Sequence, residues 1–307
     1  MPSKTASPSI LWFRRDLRLA DNPALTAAVE RGAPIVPVYI WAPDEESPWQ
    51  PGGASRFWLH QSLDALGKDL SKSKSRLILR GGPSLVTLLD LIEETGATDV
   101  YWNRLYDPAA IARDKEIKSA LEKSGTEVGT FNASLLFEPW TIQNQSGAHY
   151  KVFTPYYKAC MKEDEPATPS KAPKSIPAPS KWPKSESLSA FKLEPKIKWA
   201  EGIREAWDFG EGGAQDTLDR FLNEAVADYK KMRDYPAESA VSRMSPYLHF
   251  GEISPRQVWH TTQSFAAANE EAQSGAESFL REICWREFSH HLLYHEPQTT
   301  SEPLREE

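Results

Sequence analysis

Three side chains near the end of the chain are of types that can act together on a bound molecule. Glu282, Trp285 and Arg286 stand at positions i, i+3 and i+4, so a helix would carry them on one face. This spacing alone is typical of a Glu–Arg surface pair that flanks a packed tryptophan. The alternative is a platform, because an aromatic face can receive a nucleic-acid base that has been taken out of its stack.

A second group of polar side chains precedes these three. Ser242, Arg243 and Ser245 lie in a segment that leads towards a helix. Hydroxyls, backbone N–H groups and a guanidinium can together hold a diphosphate, and the same residue types also form ordinary helix-capping loops. Both interpretations remain open on the residues alone.

The histidines and cysteines indicate no metal site. His290, His291 and His295 share a predicted helix without partners at metal-ligand spacing, and we interpret them as packed or solvated. Cys160 and Cys284 are far apart and lack Cys or His neighbours at ligand spacing, which argues against zinc and against a disulfide framework.

The first part of the chain is predicted to form a sheet with helices between its strands. Short apolar runs predict strands over residues 10–13, 35–41, 76–79, 99–103 and 127–131. Amphipathic segments between them predict helices over residues 23–31, 55–70, 84–94 and 108–123. Strands that alternate with such helices predict a doubly wound, parallel α/β sheet, in which ligands bind beyond the carboxyl ends of the strands.

The rest of the chain is organised differently. We assign residues 1–137 to the α/β domain, 138–209 to an interdomain linker and 210–307 to a helical domain. The linker contains a dense series of prolines, which favour an extended surface connection, with disorder as the alternative: Pro166, Pro169, Pro173, Pro177, Pro179, Pro183 and Pro195. Helices are predicted over residues 214–231, from Pro255 with Ser254 as its cap, and over residues 275–294.

Composition narrows the class of protein. The net charge of −7 weighs against a general nucleic-acid binder, so a DNA-binding function requires a local basic patch. No apolar run is long enough to span a membrane, and the polar start of the chain lacks the apolar stretch of a signal peptide. We therefore expect a cytoplasmic protein without a membrane partner.

Several strings of residues resemble one family. Residues 12–22, WFRRDLRLADN, are similar to the amino-terminal signature of the DNA photolyase and cryptochrome family. Their side chains, taken singly, predict an Arg–Asp network that ties the loop to the sheet. Further strings resemble the family in the same order, at residues 101–108, 151–156, 229–236, 241–256 and 279–288. The chain looks like the front portion of a class I/III-like cyclobutane pyrimidine dimer photolyase.

The resemblance implies an FAD flavoprotein of blue-light chemistry. It implies that light-excited reduced FAD transfers an electron to a pyrimidine dimer in damaged DNA, which is repaired by a lyase reaction. The residues that it implies for FAD binding are Tyr229, Ser242, Arg243, Met244, Ser245, Phe279 and Glu282. Val241 stands where the family often has threonine, and its side chain cannot donate a hydrogen bond to a phosphate.

The resemblance also implies where the lesion binds. Trp285 would stack on the flipped dimer and Glu282 would hydrogen-bond to the pyrimidine, which makes these two the implied catalytic residues. Arg233 and Arg286 would contact phosphates or the lesion edge, so the implied nucleic-acid site is Arg233, Glu282, Trp285 and Arg286.

The α/β domain of the family holds an optional antenna chromophore, either a folate (methenyltetrahydrofolate) or a deazaflavin. Some relatives contact the folate through an Asn-Glu pair near the position of Ala109 and Ala110. Alanines cannot make that contact, so we expect a different contact if folate binds.

The chain stops where the family continues with further helices around the flavin. We therefore expect an FAD-binding domain that is truncated, inactive alone, and completed by a second chain if it works. Two other functions remain open: a blue-light signalling cryptochrome, or a non-catalytic module that binds a chromophore or a partner. The implied platform of Glu282, Trp285 and Arg286 favours repair over signalling.

Overall fold

The computed structural model describes residues 6–235 and 237–305. Pro236, which closes the string 229–236, lies outside the described residues, as do both extreme ends of the chain. Within the described ranges, none of the helices combines the length and the apolar character that a membrane span requires.

Five parallel strands form one sheet. They are β1 (Ser9–Phe13), β2 (Ile35–Trp41), β3 (Ile78–Gly81), β4 (Asp99–Asn103) and β5 (Glu127–Phe131), in the spatial order β3-β2-β1-β4-β5. The central strand β1 is buried at every residue, which explains its continuous apolar run. The predicted doubly wound α/β sheet is thus confirmed.

Four helices connect these strands: α1 (Pro23–Glu30), α2 (Gly53–Lys72), α3 (Ser84–Thr95) and α4 (Pro108–Lys123). Asn22 caps α1 by accepting a hydrogen bond from the amide of Leu25 at 3.1 Å. Gly96, at φ 68°, ends α3 in the left-handed conformation that glycine tolerates best. These boundaries follow the predicted ones closely, whereas β3 begins two residues later than predicted.

The second part of the chain is helical. Its helices are α5 (Phe153–Cys160), α6 (Glu201–Ala206), α7 (Gly210–Glu224), α8 (Tyr229–Met232), α9 (Ser245–Phe250), α10 (Pro255–Ala268) and α11 (Gln273–His295). Ser254 and Gln257 form the capping box that starts α10, as predicted for Ser254. The predicted helix over residues 214–231 is wrong in one respect, because it is broken between α7 and α8. The break brings the carbonyl of Val226 onto Gly275 of α11, where a Cβ would not fit.

The proline-rich segment is ordered along the surface of the α/β part. The carbonyl of Pro177 accepts a hydrogen bond from the amide of Ile35 at 2.8 Å. The amide of Glu186 donates to the carbonyl of Leu79 in β3 at 2.9 Å. Ile176 is buried against the core. The segment therefore runs extended over the surface, with α5 before it and α6 after it.

The Arg–Asp string after β1 forms the predicted network, and this network also reaches the helical part. Arg14 pairs with Asp114 of α4 at 2.6 Å. Arg18 is buried and donates to the carbonyl of Gly251, after α9, at 2.9 Å. Gly251 has φ 68°, and its Cα lies so close to the backbone of residues 15 and 16 that no side chain fits there. The loop thus joins the two parts of the molecule.

Asp21 also bonds across this junction. Its carboxylate accepts hydrogen bonds from Arg256 Nε and Nη2, both at 2.9 Å, and from Ser254 Oγ at 2.5 Å. The amide of Ser170, in the proline-rich segment, adds a further bond of 3.2 Å. The side chain of Asp21 is only 3% exposed. One carboxylate thus joins the loop after β1, the start of α10 and the linker.

Helix α11 holds the loop that follows β5 through buried polar contacts. Glu287 accepts hydrogen bonds from the amides of Leu136 and Phe137, at 2.8 and 3.2 Å. His291 is buried, with Nδ1 3.0 Å from the carbonyl of Pro139 and Nε2 accepting from the amide of Tyr150. Both ring nitrogens of His291 are thereby used while the imidazole is neutral, as the packed interpretation of this histidine predicts.

Candidate functional site

A cleft of about 470 Å³ lies between the carboxyl ends of β1 and β4 and the helices α8, α9 and α11. From the α/β side it is lined by Arg15, Leu105, Tyr106, Asp107 and Ser134. From the helical side it is lined by Tyr229, Ser242, Met244, Ser245, Leu248, His249, Phe279, Glu282, Ile283, Arg286 and His290. Its position at the carboxyl ends of the strands matches the expectation for ligands of such sheets.

Six of the seven side chains predicted to bind FAD line this cleft: Tyr229, Ser242, Met244, Ser245, Phe279 and Glu282. The structure does not bring the seventh, Arg243, into it. Arg243 has φ 55°, and its guanidinium lies over the ring of Trp207 at 3.8 Å while donating to the carbonyl of Ala206 at 3.0 Å. A diphosphate contact by the Arg243 side chain stays a prediction.

One wall of the cleft is aromatic. The rings of Tyr229 and Phe279 meet edge to face, with centroids 5.6 Å apart, and both pack on Phe221 of α7. Tyr229 is buried, and burial raises the pKa of its phenol, so the hydroxyl remains protonated. This wall offers rigid apolar surface to a planar ligand.

The polar lining carries hydrogen-bonding capacity that the protein does not use. His290 Nδ1 is buried without a partner among the described residues. Burial and the neighbouring Arg286 hold the pKa of His290 down at about 3, so the ring is neutral. A buried polar atom without a partner is unfavourable unless a ligand or water bonds to it. The lining therefore fits a ligand with polar and flat aromatic groups, as FAD has.

Of the four residues predicted to bind nucleic acid, Glu282 and Arg286 line the cleft. Glu282 forms an ion pair with Arg233, and each side chain is 35% exposed. Trp285 does not line the cleft and is 42% exposed beside it. Arg286 lines the cleft but points inward, with Nη1 donating to the carbonyl of Ser134 at 2.7 Å. Glu282, Arg233 and Trp285 are thus each at least one third exposed, whereas Arg286 is mostly used by the fold.

Basic and acidic side chains are interspersed next to Glu282 and Trp285. Lys230 and Lys231 are exposed on α8 next to Arg233, and Arg281 is exposed one turn before Trp285 on α11. The exposed carboxylates of Asp228, Asp234 and Glu277 lie in the same two segments, so the charges of this region nearly balance.

Several lining residues are not among those predicted from the sequence. Arg15, Tyr106 and Asp107 lie in the loops directly after β1 and β4. The rule that ligands bind at the carboxyl ends of parallel strands was the signal that could have identified them. His249 and His290 carried no comparable signal, because only the packing of α9 and α11 turns them into the cleft.

A second cleft, of about 550 Å³, opens beside β2 on the other side of Arg15. Its lining includes the aromatic rings of Tyr39, Trp41 and Trp49 and the carboxylate of Glu46. Ala109 and Ala110, where an Asn-Glu pair would be expected to contact folate, also line it. Across the described part of the chain, His, Cys, Asp and Glu side chains form no group that could hold a metal ion.

Comparisons with known proteins agree with this architecture. The family model described as DNA photolyase matches residues 9–177, which is more than half of the chain. A deoxyribodipyrimidine photo-lyase of Agrobacterium fabrum is 48% identical over 299 residues, which are 97% of this chain and 61% of that protein.

Two solved structures extend the comparison. A class III photolyase from Agrobacterium tumefaciens superposes with a TM-score of 0.94 at 46% identity, covering 99% of this chain and 62% of that one. A photolyase from Sulfolobus tokodaii, whose structure contains two FAD molecules, superposes with a TM-score of 0.77 at 27% identity, covering 96% and 61%. The chain thus spans about three fifths of the length of these relatives. By its matched family model, its sheet and its cleft, the chain belongs to the DNA photolyase family.

Proposed function

We propose that this chain binds FAD in the first cleft and takes part in light-driven repair of pyrimidine dimers in DNA, in the cytoplasm. The observation that carries the proposal is the convergence of six predicted FAD residues in one cleft, among them Glu282, which pairs with Arg233. An exposed tryptophan one helical turn from this carboxylate, Trp285, suits a lesion site better than a signalling surface.

The residues of the cleft have separable tasks in this proposal. Tyr229 and Phe279 supply the apolar wall against which the cofactor packs. Ser242 and Ser245 supply hydroxyls for its phosphates, and His290 Nδ1 supplies an unused buried polar atom. Bound FAD supplies the photochemical electron transfer, and these side chains hold it in place and exclude water.

Glu282 and Trp285 recognise the damaged base. Trp285 offers a face on which a base extruded from the duplex stacks, and Glu282 accepts a hydrogen bond from its polar edge. In the free protein Glu282 is paired with Arg233, so binding exchanges part of this pair for contacts to the base and to a phosphate. Lys230 and Lys231 of α8, and Arg233 directly after it, attract the DNA backbone without reading its sequence.

Retention of flavin by the purified chain tests the first half of the proposal. We expect the 307-residue chain, incubated with FAD and passed through gel filtration, to keep flavin absorbance. Flavin confined to a dimeric fraction would support the prediction that a second chain completes the site. A colourless protein in every fraction would contradict FAD binding by this chain.

Trp285→Ala tests the second half. We expect it to weaken binding to dimer-containing DNA by about 1–3 kcal/mol, the usual contribution of stacking between a base and an aromatic side chain. Fluorescence anisotropy with labelled damaged and undamaged duplexes measures the effect. Trp199→Ala is the matched control, because Trp199 is 45% exposed but packs on Phe57, away from the cleft. Equal affinities of wild type and Trp285→Ala for the damaged duplex would exclude the proposed role.

We infer that the second cleft holds the antenna chromophore. Its tryptophans can enclose a planar ring, and Glu46 can accept hydrogen bonds from ring N–H groups in place of the missing Asn-Glu pair. Addition of methenyltetrahydrofolate should give near-ultraviolet absorbance that remains with the protein and is reduced in Trp49→Ala. A deazaflavin retained instead of the folate would identify the other antenna class, and retention of neither would contradict the assignment.

A further inference from the structure

Trp285 is held on one side by a stack of aromatic rings. The ring of Phe153, the first residue of α5, lies parallel to the indole, with centroids 3.6 Å apart and an interplanar angle of 10°. The ring of Tyr157, one turn further along α5, continues the stack at 5.8 Å and 25° from Phe153. Three rings therefore follow one another across the contact between α5 and α11.

A fourth aromatic ring contacts two rings of the stack. Phe288 is buried and meets both Phe153 and Trp285 edge to face, at 5.8 and 5.9 Å. The indole is thus bounded by Phe153 across one face and by Phe288 along one edge. The guanidinium of Arg281 lies over the rings of Phe153 and Tyr157, at 5.4 and 5.3 Å from their centroids.

The exposure of the rings shows which surface remains for a ligand. Phe153 is 4% exposed, whereas Trp285 is 42% exposed. Since Phe153 occupies the inner face of the indole, the exposed area belongs to the opposite face and the free edges. A planar ligand can therefore stack on Trp285 from one side only.

We propose that Phe153 is the positioning residue of Trp285, and that its ring fixes the indole so that the outward face receives the extruded base. This inference rests on the proposed lesion site, because Phe153 acts only through Trp285. Fixing the indole before binding removes the entropic cost of immobilising a large side chain when the base arrives. Phe153 lies in α5, well before the residues from 229 onwards that include the other predicted lesion residues, so α5 contributes to recognition.

Phe153→Leu in the full chain tests the inference, because it keeps an apolar side chain of similar volume and removes the ring. We expect its affinity for dimer-containing DNA to fall about two- to tenfold, and its affinity for undamaged DNA to stay unchanged. Phe153→Tyr keeps the ring and should restore the affinity. In the Trp285→Ala background, Phe153→Leu should have no further effect. If Phe153→Leu does not fold, Phe153→Met is substituted and compared with Phe153→Tyr in the same way.

The outcomes separate this inference from the proposal on which it rests. If Trp285→Ala weakens binding to damaged DNA and Phe153→Leu does not, the positioning role is wrong and the lesion site stands. The positioning role is also wrong if Phe153→Leu weakens binding equally in the Trp285→Ala background. If Trp285→Ala itself has no effect, the lesion role of Trp285 is wrong, and the role of Phe153 is excluded with it.

Discussion

Asp21→Ala should lower the free energy of unfolding by about 3–5 kcal/mol, the usual cost of removing one partner of a buried ion pair. The substitution leaves Arg256, whose side chain is 15% exposed, without its carboxylate, and it also removes acceptors from Ser254 and from the amide of Ser170. Urea denaturation followed by circular dichroism measures the change.

Two further variants test whether the loss of the buried carboxylate is what lowers the stability. Asp21→Asn keeps the size of the side chain and suits the left-handed backbone of this position, φ 48°, so it should cost less than Asp21→Ala. Asp64→Ala removes an exposed pair with Lys68 and should cost less than about 1 kcal/mol. If Asp21→Ala costs no more than Asp64→Ala, the junction is not stabilised by this carboxylate.

The second large effect concerns pH. Burial raises the pKa of Glu287 to about 7 from an ordinary value of 4.5. A carboxyl whose pKa is higher in the folded state stabilises the fold at low pH, and this contribution is lost as the pH rises from about 4.5 through 7. Glu287→Gln keeps an oxygen that can accept from the amides of Leu136 and Phe137, and it does not ionise.

We therefore expect the difference in unfolding free energy, Glu287→Gln minus wild type, to increase by about 3 kcal/mol between pH 4.5 and pH 7.5. The nearby histidines are present in both proteins, so subtracting the two unfolding free energies removes their contribution, whose pH dependence has the opposite sign. Burial and His295 lower the pKa of His291 to about 4, so its contribution is present above about pH 6.5 and is lost on acidification. Glu122→Gln, which removes an exposed carboxylate paired with Lys118, is the control for the exchange of Glu for Gln. A pH-independent difference for Glu287→Gln would show that this carboxyl is ionised in the fold.

The strands of the sheet were predicted well, because each buried strand is a short apolar run that is visible in the local sequence. The run at Ile35–Trp41 is apolar at almost every position, which a buried parallel strand requires. The break between α7 and α8 was predicted poorly, because that break depends on the close approach of Val226 to Gly275, far along the chain. Local patterns cannot report such a contact.

The candidate site likewise combines residues that were predictable from the sequence with contacts that depend on distant parts of the chain. Seven residues were predicted to bind FAD from strings that resemble a family, and the fold brings six of them together in the cleft. The orientation of Arg243 was not predictable, because it depends on a positive φ and on Trp207 lying within reach. The stack of Phe153 on Trp285 was likewise missed, because it joins helices that are separated by more than one hundred residues.

The proline-rich segment also has a consequence for how the sheet ends. β3 is an outer strand, and its outward-facing groups are used by this segment: Leu79 bonds through both its amide and its carbonyl, and the amide of Gly81 donates to Glu186 at 2.7 Å. An outer strand with free backbone groups is a template on which another molecule can add its own strand and begin aggregation. The proline-rich segment therefore occupies backbone groups of β3 to which another strand could bond. Pro183, just before the contact, has no backbone N–H, so the segment itself offers one hydrogen-bond donor fewer to a further strand.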